Sequence, residues 1–195
     1  MFGCAMASTF VLRPLRDQFG VDQGTARIPY LYSLTLFGSL LFTPAFWWLA
    51  NRMPSRRFLP IALHVASAVQ VVLAIALAGV GDYDWKAPGA RWVGEVFWAW
   101  FNAFNVAVPA LVWIHAVEHF RREQARRFFG LVGVGGTLGA LLGPLLARQL
   151  ADIGLLPWSG AVASALLLQV SFQCYRLSAR ACAVMGGGDG APRVA

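Results

Sequence analysis

Two arginines, Arg13 and Arg16, stand three residues apart in the run VLRPLRD, with Pro14 between them and Asp17 directly after. At that spacing two guanidinium groups reach neighbouring sides of one helical turn. Placed at the mouth of a cavity they would grip a phosphate-bearing anion through forked hydrogen bonds, which lysine makes less well. The plain alternative is that both arginines snorkel to lipid headgroups, with Asp17 as a local ion-pair partner. Asn102 and Asn105 form a second pair at helical spacing, inside an otherwise apolar stretch. They are candidates either for hydrogen bonds between helices or for the lining of a solute cavity. His64, Gln70 and the pair His115 and Glu118 are the other polar groups set in apolar runs. His64 falls a turn or two from a basic loop, which fits an interfacial position. His115 and Glu118 fit a local pair near a helix end. Gln70 suits either packing or lining.

Hydrolytic or redox chemistry finds no footing. No serine–histidine–acid pattern, paired intramembrane carboxylate or histidine cluster with ligand spacing is present. The expectation is therefore no catalytic residue, no metal and no cofactor. Cys4, Cys174 and Cys182 are odd in number and lack metal spacing, so they imply neither a disulfide framework nor a zinc site.

The elements that must position these groups are apolar helices. Of 195 residues, 58% are hydrophobic and 13% charged. Soluble domains carry about 25% charged residues, so this chain is too poor in charge to cover a soluble surface. The stretch 128–150, FFGLVGVGGTLGALLGPLLARQL, organises the rest. Gly135, Gly139, Gly143 and Ala147 recur every four residues and make one small-residue stripe, the commonest device for close helix approach in lipid. GVGGTLG is not a dinucleotide fingerprint, because Leu138 stands where the third glycine belongs and no strand precedes it.

Apolar runs predict six spans, at 1–19, 28–50, 58–80, 92–117, 128–150 and 158–177, in one transmembrane domain over 1–177. A flexible Gly-rich tail is expected at 178–195. The first run, 1–12, is short for a span and lacks the basic start of a signal peptide, so it reads as a helix whose beginning is missing. Basic residues assign the sides. Arg52, Arg56, Arg57, Arg121, Arg122, Arg126, Arg127, Arg176 and Arg180 fall at one face, against Arg13, Arg16, Arg27, Lys86, Arg91 and Arg148 at the other. By the positive-inside rule the loops after the second and fourth spans, and both termini, are cytoplasmic. The net charge of +7 suits anionic headgroups and not nucleic acid.

Six spans with both ends inside fit one half of a major facilitator transporter. VLRPLRD at 11–17, NRMPSRRFLP at 51–60, FNAFNVAVPALVW at 101–113 and RRFFGLVGVGGTLGALLGP at 126–144 carry a closer likeness. Together they resemble the bacterial ATP:ADP antiporter-like, nucleotide transporter branch of that superfamily, over its N-terminal half. The resemblance implies an alternating-access solute transporter, or a truncated half of one, in the bacterial cytoplasmic (inner) membrane. It implies a nucleotide or other small organic anion as solute, which through RPLRD fits Arg13 and Arg16 as its contacts; Asn102 and Asn105 are the further candidates, on their own placement. It also implies a second six-helix half, as a separate chain or a second copy. A non-transporting membrane subunit or transporter remnant is the alternative reading, and a membrane enzyme a minor one.

Overall fold

The structure is a computed structural model. It describes residues 1–53, 55–80, 88–119 and 122–186, with the side chains at 45, 50, 55–57, 88, 118–119, 122–128 and 177–186 outside the description. The described residues are all-helical. The helices are α1 (Phe2–Phe10), α2 (Arg13–Asp22), α3 (Ile28–Arg52), α4 (Ser55–Ala78), α5 (Pro88–His119), α6 (Arg122–Asp152) and α7 (Ser159–Gly186). Single 3-10 turns at Thr25–Arg27 and Leu156–Trp158 lead into α3 and α7. Four stretches are long and apolar enough to cross a membrane: Thr25–Leu49, Phe58–Ala78, Gly89–Val117 and Phe129–Asp152.

The first expected span is not one helix. It breaks at Val11 and Leu12, and Arg13 and Arg16 open a second helix instead of closing the first. Pro14 is the cause. Its ring would clash with the carbonyl of Phe10 and it has no N–H for the ladder. The chain therefore stops at Phe10 and restarts with the proline in the first turn of α2, where neither defect matters. Elsewhere Pro44, Pro60, Pro109 and Pro144 are carried inside continuous helices. The basic stretch before the glycine helix is also shorter as a loop than expected, since α6 begins at Arg122. The expected tail begins later as well, because α7 continues to Gly186. Residues 187–195 lie outside the description.

Contacts fix the helix directions. Gly3 of α1 meets Gly135 and Gly139 of α6, while Ala7 and Phe10 meet Gly143, so these two helices run parallel. A Cβ on Gly139 would overlap the Gly3 carbonyl, and one on Gly143 would lie 2.8 Å from the Phe10 Cβ and 2.9 Å from the Val11 nitrogen. Ala147 continues the stripe and is fully buried. The glycine stripe is thus a backbone-to-backbone seam. On the other flank α4 and α7 run antiparallel. Ser164 donates to the Ser67 carbonyl at 2.9 Å, Ser67 donates back to the Ser164 carbonyl at 3.4 Å, and Gly160 sits against Gln70 and Ala74. Gln70 itself is fully buried there, with no hydrogen-bond partner for its amide among the described residues. α3 and α5 run parallel, Tyr30 meeting Glu95 and Thr35 meeting Trp98 and Asn102. α2 crosses α5 in the opposite sense, Arg16 lying over Phe101 and Phe19 against Gly94.

α1 and α2 therefore run in the same sense, and from α2 to α7 successive helices alternate in direction. The ends at Met1, Arg52, Ser55, His119 and Arg122 share one end of the bundle, and those at Asp22, Thr25, Ala78, Pro88, Asp152 and Ser159 the other. The core between α1, α2, α4, α5 and α7 is filled by Leu12, Leu15, Phe19, Leu63, Phe97, Phe101 and Leu167, each at most 1% exposed. α3 lies outside it. Leu36, Phe37, Leu40, Leu41 and Trp47 are all more than half exposed on that helix. α6 likewise leaves Leu131, Leu138, Leu141 and Leu145 uncovered.

Candidate functional site

Pro14 starts α2 so that its first turn carries Arg13, Arg16 and Asp17 across α5. The Arg16 guanidinium lies 5.2 Å from the Trp98 ring centroid and 5.1 Å from that of Phe101, a two-sided aromatic seat. Its Nε donates to Asp17 Oδ1 at 2.9 Å, and Nη2 donates to the same oxygen. Arg13 Nε lies 4.0 Å from Asp17 Oδ2, and its guanidinium stands over Phe10 at 5.5 Å. One carboxylate is shared by two guanidinium groups, leaving one positive charge over. Arg16 is mostly covered, with 19% of its side chain exposed, whereas about half of Arg13 and of Asp17 is open.

The depth of this cluster decides its meaning. The apolar stretch of α5 runs Gly89–Val117, and its midpoint is at residue 103. At 1.5 Å per residue, Trp98 and Phe101 lie about 8 and 3 Å from that midpoint. Arg16 therefore packs between the middle and the upper end of α5, in a cavity that also reaches Gly24 and Thr25 at the end of the bundle. An arginine inside a span is costly unless it faces protein or water.

Trp98 carries the cluster onward. Its Nε1–H donates to Thr35 Oγ1 at 3.1 Å. Asn102 Nδ2 donates to the Trp98 carbonyl at 2.8 Å and to Thr35 Oγ1 at 3.4 Å. Thr35 in turn donates to the Leu31 carbonyl at 3.0 Å. Next to it a cavity of about 420 Å³ between α3 and α5 is lined by Thr35, Ser39, Thr43, Asn102 and Asn105 together with apolar side chains. A second cavity of about 390 Å³ has Arg16, Asp17, Gly24, Thr25, Tyr32 and Trp98 on its wall. The two cavities share no lining residue; the Trp98–Thr35 hydrogen bond lies between them, with the cation in the second and the amide and hydroxyl groups in the first. Such an arrangement offers fork-like donors for an anion, amide and hydroxyl groups for further hydrogen bonds, and no nucleophile seated beside a base.

Of the four solute contacts expected from sequence, Arg16 and Asn102 are joined through Trp98 and Thr35. Arg13 reaches the same cluster only through Asp17. Asn105 lies one turn below Asn102, exposed in the same cavity. Gly135, Gly139 and Gly143 lie on the α1 seam, away from both cavities. Arg52 is exposed and stacks on Trp48 at 4.1 Å. Arg56, Arg57, Arg122, Arg126 and Arg127 fall in the first turns of α4 and α6 with side chains outside the description, and Arg121 is outside the described residues. His64 Nδ1 lies 2.6 Å from the Pro60 carbonyl and 3.4 Å from Ser171 Oγ, facing α7. His115 is buried, at 3% exposure.

Two features escaped the sequence reading. Thr35, Ser39 and Thr43 recur every four residues inside an apolar run, the same spacing logic that marked the glycines. Glu95 is a buried carboxylate four residues after Arg91. Arg91 Nε lies 3.3 Å and Arg27 Nη1 3.7 Å from its Oε1, and Tyr30 donates to Oε2 at 3.5 Å. It ties the entry of α3 to α5. Among the described residues no three metal-ligating side chains come together. No protein-family model, no curated protein and no solved structure matches this chain.

Proposed function

We propose that this chain is an integral membrane solute transporter, or one six-helix half of one, that carries a small organic anion by alternating access. α1 with α2 forms the first crossing and α7 the sixth, completing the four strongly apolar spans, and the alternation of helix directions supports that count. The Arg52, Arg56–Arg57 and Arg121–Arg127 end then faces the cytoplasm, with both termini, in a bacterial inner membrane. The observation that carries the reading is Arg16. It is a guanidinium seated on Trp98 and Phe101 of α5, and Trp98 is hydrogen-bonded to Thr35, which with Ser39, Thr43, Asn102 and Asn105 lines the neighbouring cavity. The resemblance to the nucleotide transporter branch makes a nucleotide one candidate solute. In this reading a second six-helix half, from another chain or a second copy, covers these cavities.

The test is reconstitution into liposomes of the chain with its partner half. Exchange of a panel of labelled organic anions, nucleotides included, is measured with unmodified protein, Arg16→Lys and Arg13→Lys. Arg16→Lys keeps the charge and removes the fork, so uptake and anion-induced thermal stabilisation should fall with it. Equal uptake and stabilisation in all three proteins would end the claim that these arginines touch solute. Uptake by a preparation shown to be monomeric would end the claim that a second half is needed.

A further inference from the structure

A second groove borders α3 along the neighbouring row of residues, sharing Phe42 and Ala103 with the cavity at Thr35, Ser39 and Thr43. Its wall on α3 is Tyr30, Leu34, Gly38 and Phe42, and its volume is about 350 Å³. At Phe42 and Trp100 it meets an apolar cavity of about 260 Å³ that runs on past Phe46 and Leu49 to Phe58 of α4. Tyr30 to Leu49 is about 28 Å of helix, close to the roughly 30 Å depth of a hydrocarbon core. The upper end of this groove is the Glu95 cluster. Two guanidinium groups, Arg27 and Arg91, share that one buried carboxylate, so among the described residues one positive charge remains. Glu95, with 10% of its side chain exposed, lines the groove itself; the guanidinium groups, with 30% and 42% exposed, stand against it outside the groove's wall, and Arg27 also donates to Gln23. Tyr30 and Trp92 stand half to mostly exposed beside them, at the level where aromatic rings meet headgroups.

The geometry points to a binding site for one anionic phospholipid, its phosphodiester on Arg27 and Arg91 and an acyl chain lying along Leu34, Gly38 and Phe42. The charge argument selects the headgroup: a single surplus positive charge pairs with a phosphodiester carrying no ammonium of its own. The apolar wall selects a lipid chain over a water-soluble anion. This inference rests on the chain being in a membrane and not on what it transports.

The test uses full-length protein delipidated in neutral detergent. Phosphatidylglycerol, phosphatidylcholine with the same chains, and inorganic phosphate are titrated, and thermal stability and lipid retention by native mass spectrometry are read. Phosphatidylglycerol should be retained at one per chain and raise the melting temperature, and the other two should not. Arg91→Gln should weaken retention by about tenfold, the loss of one charge-assisted hydrogen bond. Gly38→Leu leaves every charge in place. A Cβ at Gly38 meets nothing within 4 Å, so the fold accepts it while the groove is filled. That variant should lose retention to a similar degree, and it decides the matter if Arg91→Gln does not fold. Equal retention of phosphatidylcholine, or unchanged retention in Gly38→Leu, overturns the site. Stabilisation by inorganic phosphate that disappears in Arg91→Gln overturns the lipid and leaves a simple anion site.

Discussion

The seam between α1 and α6 predicts that one substitution, glycine to alanine, changes sign along a single helix. At Gly133 an added Cβ meets nothing within 4 Å, and the residue is interior to α6. Alanine there only removes glycine's conformational freedom, which stabilises a helix by about 0.5–1 kcal/mol. At Gly136 the added Cβ would approach the Phe2 ring, whose Cε1 lies 2.7 Å away. The obstacle is the far edge of a side chain and not backbone, so a small tilt of the ring against Trp113 relieves it and the two effects should nearly cancel. At Gly139 the obstacle is the Gly3 carbonyl, with the Ala7 nitrogen 3.0 Å away. These are backbone atoms and no rotamer change relieves them. Alanine forces α1 and α6 apart, and overpacking of this kind costs about 1–3 kcal/mol. Separating the helices also loosens the contacts on either side, so the upper end of that range applies. The spread from Gly133→Ala to Gly139→Ala should then be roughly 2–4 kcal/mol. Reversible unfolding in mixed detergent micelles, followed by tryptophan fluorescence, measures it. If Gly139→Ala is as stable as Gly133→Ala, the backbone contact does not exist and the placement of α1 is wrong.

Three further outcomes follow from other contacts. A Cβ on Gly94 would run into the Phe19 ring, so Gly94→Ala should destabilise by about 1–3 kcal/mol and Phe19→Leu in the same chain should recover part of that; no recovery in thermal unfolding would refute the contact. Ser164→Ala removes the 2.9 Å bond to the Ser67 carbonyl on α4 and should cost about 0.6 kcal/mol, the average for such bonds between membrane helices; a loss above about 2 kcal/mol would mean that the hydroxyl does more than bridge the two helices. Single cysteines at Ala26 and Asn51, in a chain without Cys4, Cys174 and Cys182, should react with an impermeant reagent from opposite sides of the membrane; labelling of both from one side would refute the alternation of helix directions.

The helices were legible because period and composition carry them. Apolar runs gave α3, α4 and α5 to within about four residues, while α6 begins before and α7 ends after the apolar run that marked it, because the helix continues through polar residues; the four-residue recurrence of Gly135, Gly139 and Gly143 identified a packing face without its partner. The break in the first helix was legible in principle, since Pro14 forbids the bond to Phe10, but the short apolar run around it drew the eye to length instead. What could not be read is which helix takes the stripe, because a small-residue face specifies close approach and not a neighbour. Depth was also out of reach. Arg13 and Arg16 stood open between headgroup anchors and solute contacts because a chain position says nothing of level, and the crossing of α2 over α5 seats Arg16 against Trp98 and Phe101. Glu95 was passed over for the opposite reason. A lone acid near a span's end reads as solvated, and its partners Arg27 and Tyr30 are more than 60 residues away in sequence.

α3 shows how the polar and the apolar grooves constrain each other. Leu34, Gly38 and Phe42 form one row on this helix, and Thr35, Ser39 and Thr43 form the row one residue on, about 100° around the axis. No rotation in a bilayer can place both rows in the same surroundings. The apolar row can face acyl chains. Thr35 and Ser39 can tolerate lipid, because their hydroxyls donate to the Leu31 and Leu36 carbonyls of their own helix. The charged turn of α2 cannot, because an arginine inside a span costs about 2.5–3.5 kcal/mol even on the more permissive insertion scales. Under the membrane reading proposed above, the face that holds Arg13 and Asp17 therefore needs water or another protein surface against it. A second six-helix half is the proposed source of that surface, and the proposal rests on the charge of α2 and not on the identity of a solute.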